Sequence, residues 1–509
     1  MSISIYIASI TDGVNMVKQL LTTEFNLNVI NSELLAEGQV KPHFEKLKDT
    51  CYLLAETHYV DRVYRDSYYH YFSSKLTKYQ RDCVRISIFE GEIDETDFRI
   101  AGKHDKLQEK YRGFIVLRPT EPFIVGRSII SPKALKVTEF SCCTTRFEIT
   151  VNAIKLFIDG FPHSSQDTET ISCAETTLWA VMEYFSNRYP DYKPLLPSKI
   201  IQTLTKVSSE RQVPSKGLNI QQMSFALKEF GFGTRIYSKE EYGDEFEKLL
   251  SCYVESGIPL IIAMDNFPHG GDIGHALLCI GHNKISDVEI DALPLYIIPD
   301  PDLRAETIKK GIDIFDYSSI KKGFVFVDDN YPVYQTAELE NPAGHYEAAW
   351  HNCRISYFIV PLYPKIYLEA YEAKNYILRF LITGPEPIAG NSQTVFRFYL
   401  ASSRSYKNAL AINDTFQDDL KNIILESSMS KFIWIAELST KDLIKELPPQ
   451  ATGLIILDAT EANISFNKPL ILAAYDNKLI SLNEKSAILE SNILPLRPFS
   501  TFHNNLKNF

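Results

Sequence analysis

The chain is 509 residues long, carries a formal net charge of −11 and is 45% apolar. That size and apolar content can bury ample core and predict two or three domains. The acidic balance and scattered basic residues argue against a nucleic-acid groove. Met1–Ser9 lacks the basic start and long apolar core of a signal peptide. No apolar stretch approaches a membrane span, Pro294–Pro299 and Leu454–Ala459 being only strand-sized. Eight cysteines, several inside apolar strands such as Cys83 and Cys279, fit reduced thiols in a cytoplasm. There is no Cys-x-x-Cys, His-Glu-x-x-His, P-loop or dinucleotide glycine fingerprint, so neither a metal nor a nucleotide cofactor is indicated.

Ile3–Ile10 predicts a strand, and Met16, Leu20, Leu21 and Phe25 then recur at helical spacing. Tyr52–Tyr71 is dense in tyrosine and reads as helix surface packed on a neighbour. Cys83–Glu92, Arg112–Thr120 and Phe123–Ile130 predict strands, and Arg118 and Arg127 within them read as structural arginines among acidic residues. Phe147–Phe157 alternates like one further strand. Residues 1–150 are thus expected to form an α/β region packed on the domain that follows.

From Gln166 the character changes. After Cys173, residues Leu178, Val181, Met182 and Phe185 recur at helical spacing, predicting an amphipathic helix with one buried face. Thr170 and Ser172 are N-cap candidates, which places Cys173 at the helix start. Free backbone N–H groups and the helix dipole there favour an anion, so a thiolate nucleophile is expected. Helices follow from Pro197, over Gly217–Gly231 and over Phe246–Val254. Gly257–Asp265 and Gly274–His282 read as apolar strands, with His275 opening the second. Gly323–Val327 is a third strand, running into Asp328, Asp329 and Asn330. His345 and His351 have no third metal ligand nearby. Ile355–Pro361 completes the middle domain, with a boundary at Tyr363-Pro364. Residues 364–509 alternate helix and strand signals without a nucleophile–base pair and are expected to be a smaller α/β domain for binding or assembly.

A cysteine on a helix start, a histidine opening a strand and a carboxylate after a later strand form an arrangement for nucleophilic catalysis. Over about residues 160 to 335, Gln166, Cys173, Gly274-His275-Ala276 and the Asp after the next strand resemble, in that order, the papain-like cysteine peptidases. They are most similar to the branch related to bacteriocin-leader (C39-like) peptidases. The resemblance implies an α+β fold with a papain-like core over 151–363, flanked by the N-terminal region and a 364–509 domain. It also implies a Cys173–His275–Asp triad, with Gln166 and the Cys173 N–H as oxyanion donors and no cofactor. The chain departs from the pattern in having Ala174 and Glu175 where glycine is common. A carboxylate there would raise the thiol's pKa if it points inward. The Gln-to-Cys spacing is one residue longer than usual, and an insertion stands at about 284–322.

The third group stays open between Asp329, one residue past its strand and preferred for that reason, its neighbour Asp328, and Asp300 in Pro294–Pro301. His282 would sit at the far end of the histidine strand, a poorer base, and His163 and His269 flank the site in sequence. The expected activity is a cytoplasmic thiol hydrolase, most simply a peptidase. Its partners would be a protein or peptide substrate and a regulatory protein, with no nucleic acid and no membrane. The same three groups also serve isopeptidases, transglutaminases and amidases. The alternative from another class is an interaction protein that keeps the fold without catalysis.

Overall fold

The computed structural model describes residues 4–482, 488–493 and 496–509. Ile3, first residue of the expected opening strand, lies outside them. The chain is mixed α and β, built on three mainly antiparallel sheets. The first has seven strands: Ile5–Ser9, Cys51–Tyr59, Cys83–Glu90, Tyr111–Leu117 and Val125–Ile130 in chain order, then Ile154–His163 and Thr145–Val151. The tyrosine-rich stretch is not one helix surface. It is the strand Cys51–Tyr59 followed by the helix Arg62–His70, whose Tyr64 is buried and donates its hydroxyl hydrogen to the Gln80 carbonyl. Likewise the alternation after Phe147 is a hairpin rather than one strand. Asn152 (φ 42°) and Ala153 (φ 68°) turn the chain between its two strands.

The middle sheet runs Gln335–Ala337, Phe324–Val327, Gly274–Asn283, Leu260–Asp265, Arg354–Leu362 and Gly233–Ser238. Its strands are apolar on both faces because both are covered. Ile261, Leu278, Val325 and Ile359 pack towards the cysteine helix and the first sheet. Ile262, Leu277, Phe326 and Phe358 face the helices Phe246–Glu255 and Ala370–Thr383 and the third sheet. The third sheet takes Gln393–Ser402, Phe432–Ser439, Gly453–Asp458, Leu470–Tyr475, Lys478–Leu482 and Ile488–Asn492 in order, and Asp476-Asn477 forms the hairpin turn expected there.

The units interleave more than the sequence boundaries allow. The hairpin 145–163 belongs to the first sheet, so that unit does not end at 150. Phe140–Cys142 adds to the far end of the histidine strand, and Lys507–Asn508 pairs with it in turn. Within the insertion, Leu295–Ile298 is not a strand, while Asp313–Asp316 leaves the middle unit and joins the third sheet in parallel with Gln393–Phe396. No described helix is long and apolar enough to cross a membrane, and all eight cysteines are unpaired.

Candidate active site

The cysteine helix spans Cys173–Arg188, and its start is set by a capping box. The Glu175 carboxylate accepts the Ser172 backbone N–H at 3.1 Å and the Ser172 hydroxyl, and its other oxygen accepts the Ser215 hydroxyl at 2.7 Å. Glu175 is therefore committed to the cap, not aimed as a free charge at the thiol. The helix differs from the amphipathic expectation, because every residue from Ala174 to Phe185 is buried. The first sheet closes the face that would otherwise meet solvent. The charge of its buried Glu183 is neutralised there by Arg127 at 3.0 Å and Arg62 at 2.6 Å. Arg127 is thus structural, as expected.

Ahead of the helix, the loop 165–171 is tied down before the cysteine is reached. Arg118, buried in the first sheet, donates to the carbonyls of Ser165 at 2.7 Å and Gln166 at 2.6 Å. Asp167 accepts the backbone N–H groups of Glu169, Thr170 and Ile171 at 2.6–3.0 Å. Sequence reasoning missed Asp167, although an Asp two to four residues ahead of free amides is a standard turn former.

His275 opens its strand opposite Met264, while the cysteine helix packs on the same strand through a Thr177 hydroxyl donated to the Ala276 carbonyl. The two elements set the Cys173 thiol beside the His275 ring, close enough to help raise its pKa. The strand Phe324–Val327 pairs beside His275's strand, Leu278 opposite Val327, and delivers both aspartates to the ring. Asp328, not the preferred Asp329, makes the hydrogen bond: its Oδ1 lies 2.9 Å from His275 Nε2, whereas Asp329 Oδ1 is 3.7 Å away and neither Asp329 oxygen has a hydrogen-bond partner. Counting past the strand end does not predict this, because the turn after Val327 reverses direction at Asp328, whose Oδ1 caps the Asn330 N–H at 3.0 Å. Asp300 is far from the ring. It caps the helix Pro301–Lys310 and pairs with Arg379 at 3.2 Å.

The acid loop is held from the first sheet. His163 Nε2 lies 3.0 Å from the Asp328 carbonyl and 2.9 Å from the Tyr331 carbonyl, and the Tyr334 hydroxyl donates to the Ile130 carbonyl at 2.8 Å. His163 is thus a structural anchor. His282 is bound to Glu255 at 3.0 Å at the other end of its strand, and His269 lies exposed in a turn. The loop that carries His345 and His351 closes the other side, a place its sequence does not announce. Tyr346 donates to Asp328 Oδ2 and stacks on Trp350 at 5.1 Å, while Trp350 stands edge-on to His275 at 5.3 Å. Gln166 joins the same network, its Nε2 donating to Asn330 Oδ1 at 3.1 Å. One of its amide hydrogens is thereby committed to Asn330.

The electrostatics follow from burial. Desolvation opposes a charged His275, but the Asp328 carboxylate and the Cys173 thiol outweigh it and raise the ring's pKa well above its usual value. Burial would likewise raise Asp328, yet His275 and the Tyr346 hydroxyl hold it below the carboxylate range. Asp329, buried without a partner, is pushed up to about 7; His275 opposes the rise and Asp328 adds to it. Ligand atoms of His275, Asp328 and Asp329 lie within 4.8 Å of one another, and among the described residues no other such group could hold a metal ion. His345 and His351 do not form one: His345 stands edge-on to Tyr331, and His351 Nδ1 faces the Gly344 carbonyl. No protein-family model and no curated protein matches the chain.

Proposed function

We propose that the chain is a thiol hydrolase with a papain-like, C39-like core, acting as a cysteine peptidase on a peptide or isopeptide bond of a protein or peptide substrate. The observation that carries this reading is the placement of one imidazole between a thiol at a helix N-terminus and a buried carboxylate. His275 Nε2–H is committed to Asp328, which leaves Nδ1 for the proton of Cys173. The resulting thiolate attacks the carbonyl carbon, and the imidazolium then protonates the departing amine. The thioester formed on Cys173 is hydrolysed by water, with His275 accepting the water's proton and returning it to the thiol. The Cys173 N–H and the second amide hydrogen of Gln166 are the oxyanion donors in this scheme. Transglutaminase and amidase chemistry use the same three groups with a different acceptor.

The competing class, an interaction protein without activity, drew its sequence argument from Glu175. The commitment of that carboxylate to Ser172 and Ser215 weakens the argument. The deciding experiment is thiol reactivity at pH 7. The other seven cysteines are buried, with burial pushing Cys51 up to about 11 and Cys143 up to about 12. Iodoacetamide should therefore modify Cys173 far faster than any of them, as read by mass spectrometry. His275→Ala should abolish the advantage, because the thiolate loses its ion-pair partner. Slow, uniform labelling, or rapid labelling that survives His275→Ala, would sink the catalytic reading.

A further inference from the structure

The far end of the cysteine helix opens on a cleft of about 570 Å³ shared with the middle sheet, the third sheet and the C-terminal Asn504-Asn505. Small-molecule sites occupy on the order of 300–1,000 Å³. Phe185 is 12 residues beyond Cys173, a separation of about 18 Å along a helix. The cleft is therefore distinct from the thiol site.

Its walls are apolar and aromatic, with Tyr192, Ile258 and Tyr363 among them, while its mouth is cationic. Arg188, Arg404 and Lys431 line it against one carboxylate among the described residues, Asp191. In a chain of net charge −11 this is a local inversion of sign, and a cleft with low-dielectric walls concentrates the field of such a cluster. The Arg404 side chain is exposed and has no charged or hydrogen-bonding partner among the described residues. Lys431 is paired with Asp191 at 3.2 Å, but the two side chains are 57% and 54% exposed. Such a pair adds little stability, so an incoming anion can displace it at small cost. Lys431 Nζ also lies 4.2 Å from the Tyr363 ring centroid, which sets a cation and an aromatic surface side by side. The nine-residue helix Ser403–Ala411 begins at the same mouth and turns its positive end to it.

We propose that this cleft is a ligand site, separate from Cys173, for a small organic anion with a flat apolar body, of the class of aromatic carboxylates, sulfonates and phosphate esters. The apolar walls take the ring, and Arg404 with Lys431 takes the charge.

A matched pair of fluorescent probes tests it: anionic 8-anilinonaphthalene-1-sulfonate and neutral N-phenyl-1-naphthylamine, which lacks the sulfonate. The sulfonate probe should saturate at one site per chain and bind at least about tenfold more tightly than the neutral one. The double variant R404E/K431E should weaken it about tenfold or more, while R404K/K431R should stay within about twofold. Equal binding of the two probes, or sulfonate binding unaffected by R404E/K431E, would overturn the proposal. A second measurement needs no variant. In the wild-type protein, acylation of Lys431 by an N-hydroxysuccinimide ester, followed by mass spectrometry, should slow at least about fivefold at saturating sulfonate probe. An unchanged rate at Lys431 would equally overturn it. Neither readout depends on whether Cys173 is catalytic.

Discussion

Two adjacent aspartates with different environments meet at His275. Asp328 has a ring, a tyrosine hydroxyl and a backbone N–H to receive, whereas Asp329 has none of them. Asp328→Asn should therefore slow alkylation of Cys173 at pH 7 by about tenfold or more, since the amide neither stabilises the imidazolium nor holds the same tautomer. Asp329→Asn should leave that rate within about threefold. A larger loss from Asp329→Asn than from Asp328→Asn would return the assignment to Asp329, and equal effects would remove the distinction between them. Asp329 should instead reveal itself in stability. Its pKa is about 7 in the folded protein and about 3.9 in an unfolded chain. The folded state therefore holds a proton the unfolded state has lost across that window, and stability falls as pH rises through it. Asp329→Asn removes the penalty, so its melting temperature should exceed the wild type's by a margin that widens from about pH 4 to about pH 7 and is constant above. His275 is shifted upward, so the stability it lends is full below about pH 6.5 and is lost as pH rises through its higher folded value. Both proteins keep the larger part of that contribution, which comes from Asp328. A margin independent of pH would show that Asp329 is not held protonated.

At the scale of elements, periodicity located strands and helices well and turns poorly. The chain reverses at Asn152-Ala153, both with positive φ, yet the sequence there lacks the Asn-Gly signal that marks such hairpins. Ala153 at φ 68° carries a Cβ where glycine would meet no clash. Ala153→Gly should consequently stabilise the protein by about 1 kcal/mol in urea denaturation, against the usual direction of alanine-to-glycine changes. A loss of stability would mean that the turn is not as described. The same limit explains the aspartates. The strand Phe324–Val327 was legible from its apolar run, but which residue of the following turn faces the ring depends on turn geometry. The loop carrying Tyr346 and Trp350 has no periodic pattern at all, so its place over His275 could not be read from spacing.

Across the whole molecule, the middle and third sheets are joined by buried charge as well as by apolar surface. Arg397 of the third sheet donates to Glu255 of the helix behind the middle sheet at 2.9 Å, to Glu437 at 2.8 Å and to the Phe502 carbonyl at 2.7 Å. His282 adds a 3.0 Å contact to Glu255 from the histidine strand. Removing Arg397 leaves two carboxylates buried without their cation. Arg397→Met should therefore cost about 3–5 kcal/mol in urea denaturation at pH 7. Burial would raise Glu255, but Arg397 and His282 hold its pKa well below the carboxylate range. The stability it lends is thus present above the ordinary carboxyl pKa and lost as pH falls through the folded value. The gap between wild type and Arg397→Met should narrow below about pH 4. A variant as stable as the wild type would show that the joint between the middle and third sheets does not depend on this cluster.

By itself the sequence determined the elements that carry the candidate site: a helix beginning at Cys173, a strand opened by His275 and a strand running into paired aspartates. Each is written in local periodicity and capping, which act over a few residues. Only the tertiary structure decided which aspartate meets the ring, that the cysteine helix is buried all round, and that Arg118, Asp167 and His163 brace the loops. It also decided that Phe140–Cys142 and Lys507–Asn508 complete the middle sheet and that Asp313–Asp316 leaves it. These are contacts between residues far apart in the chain, and they are selected by packing, which no local pattern records.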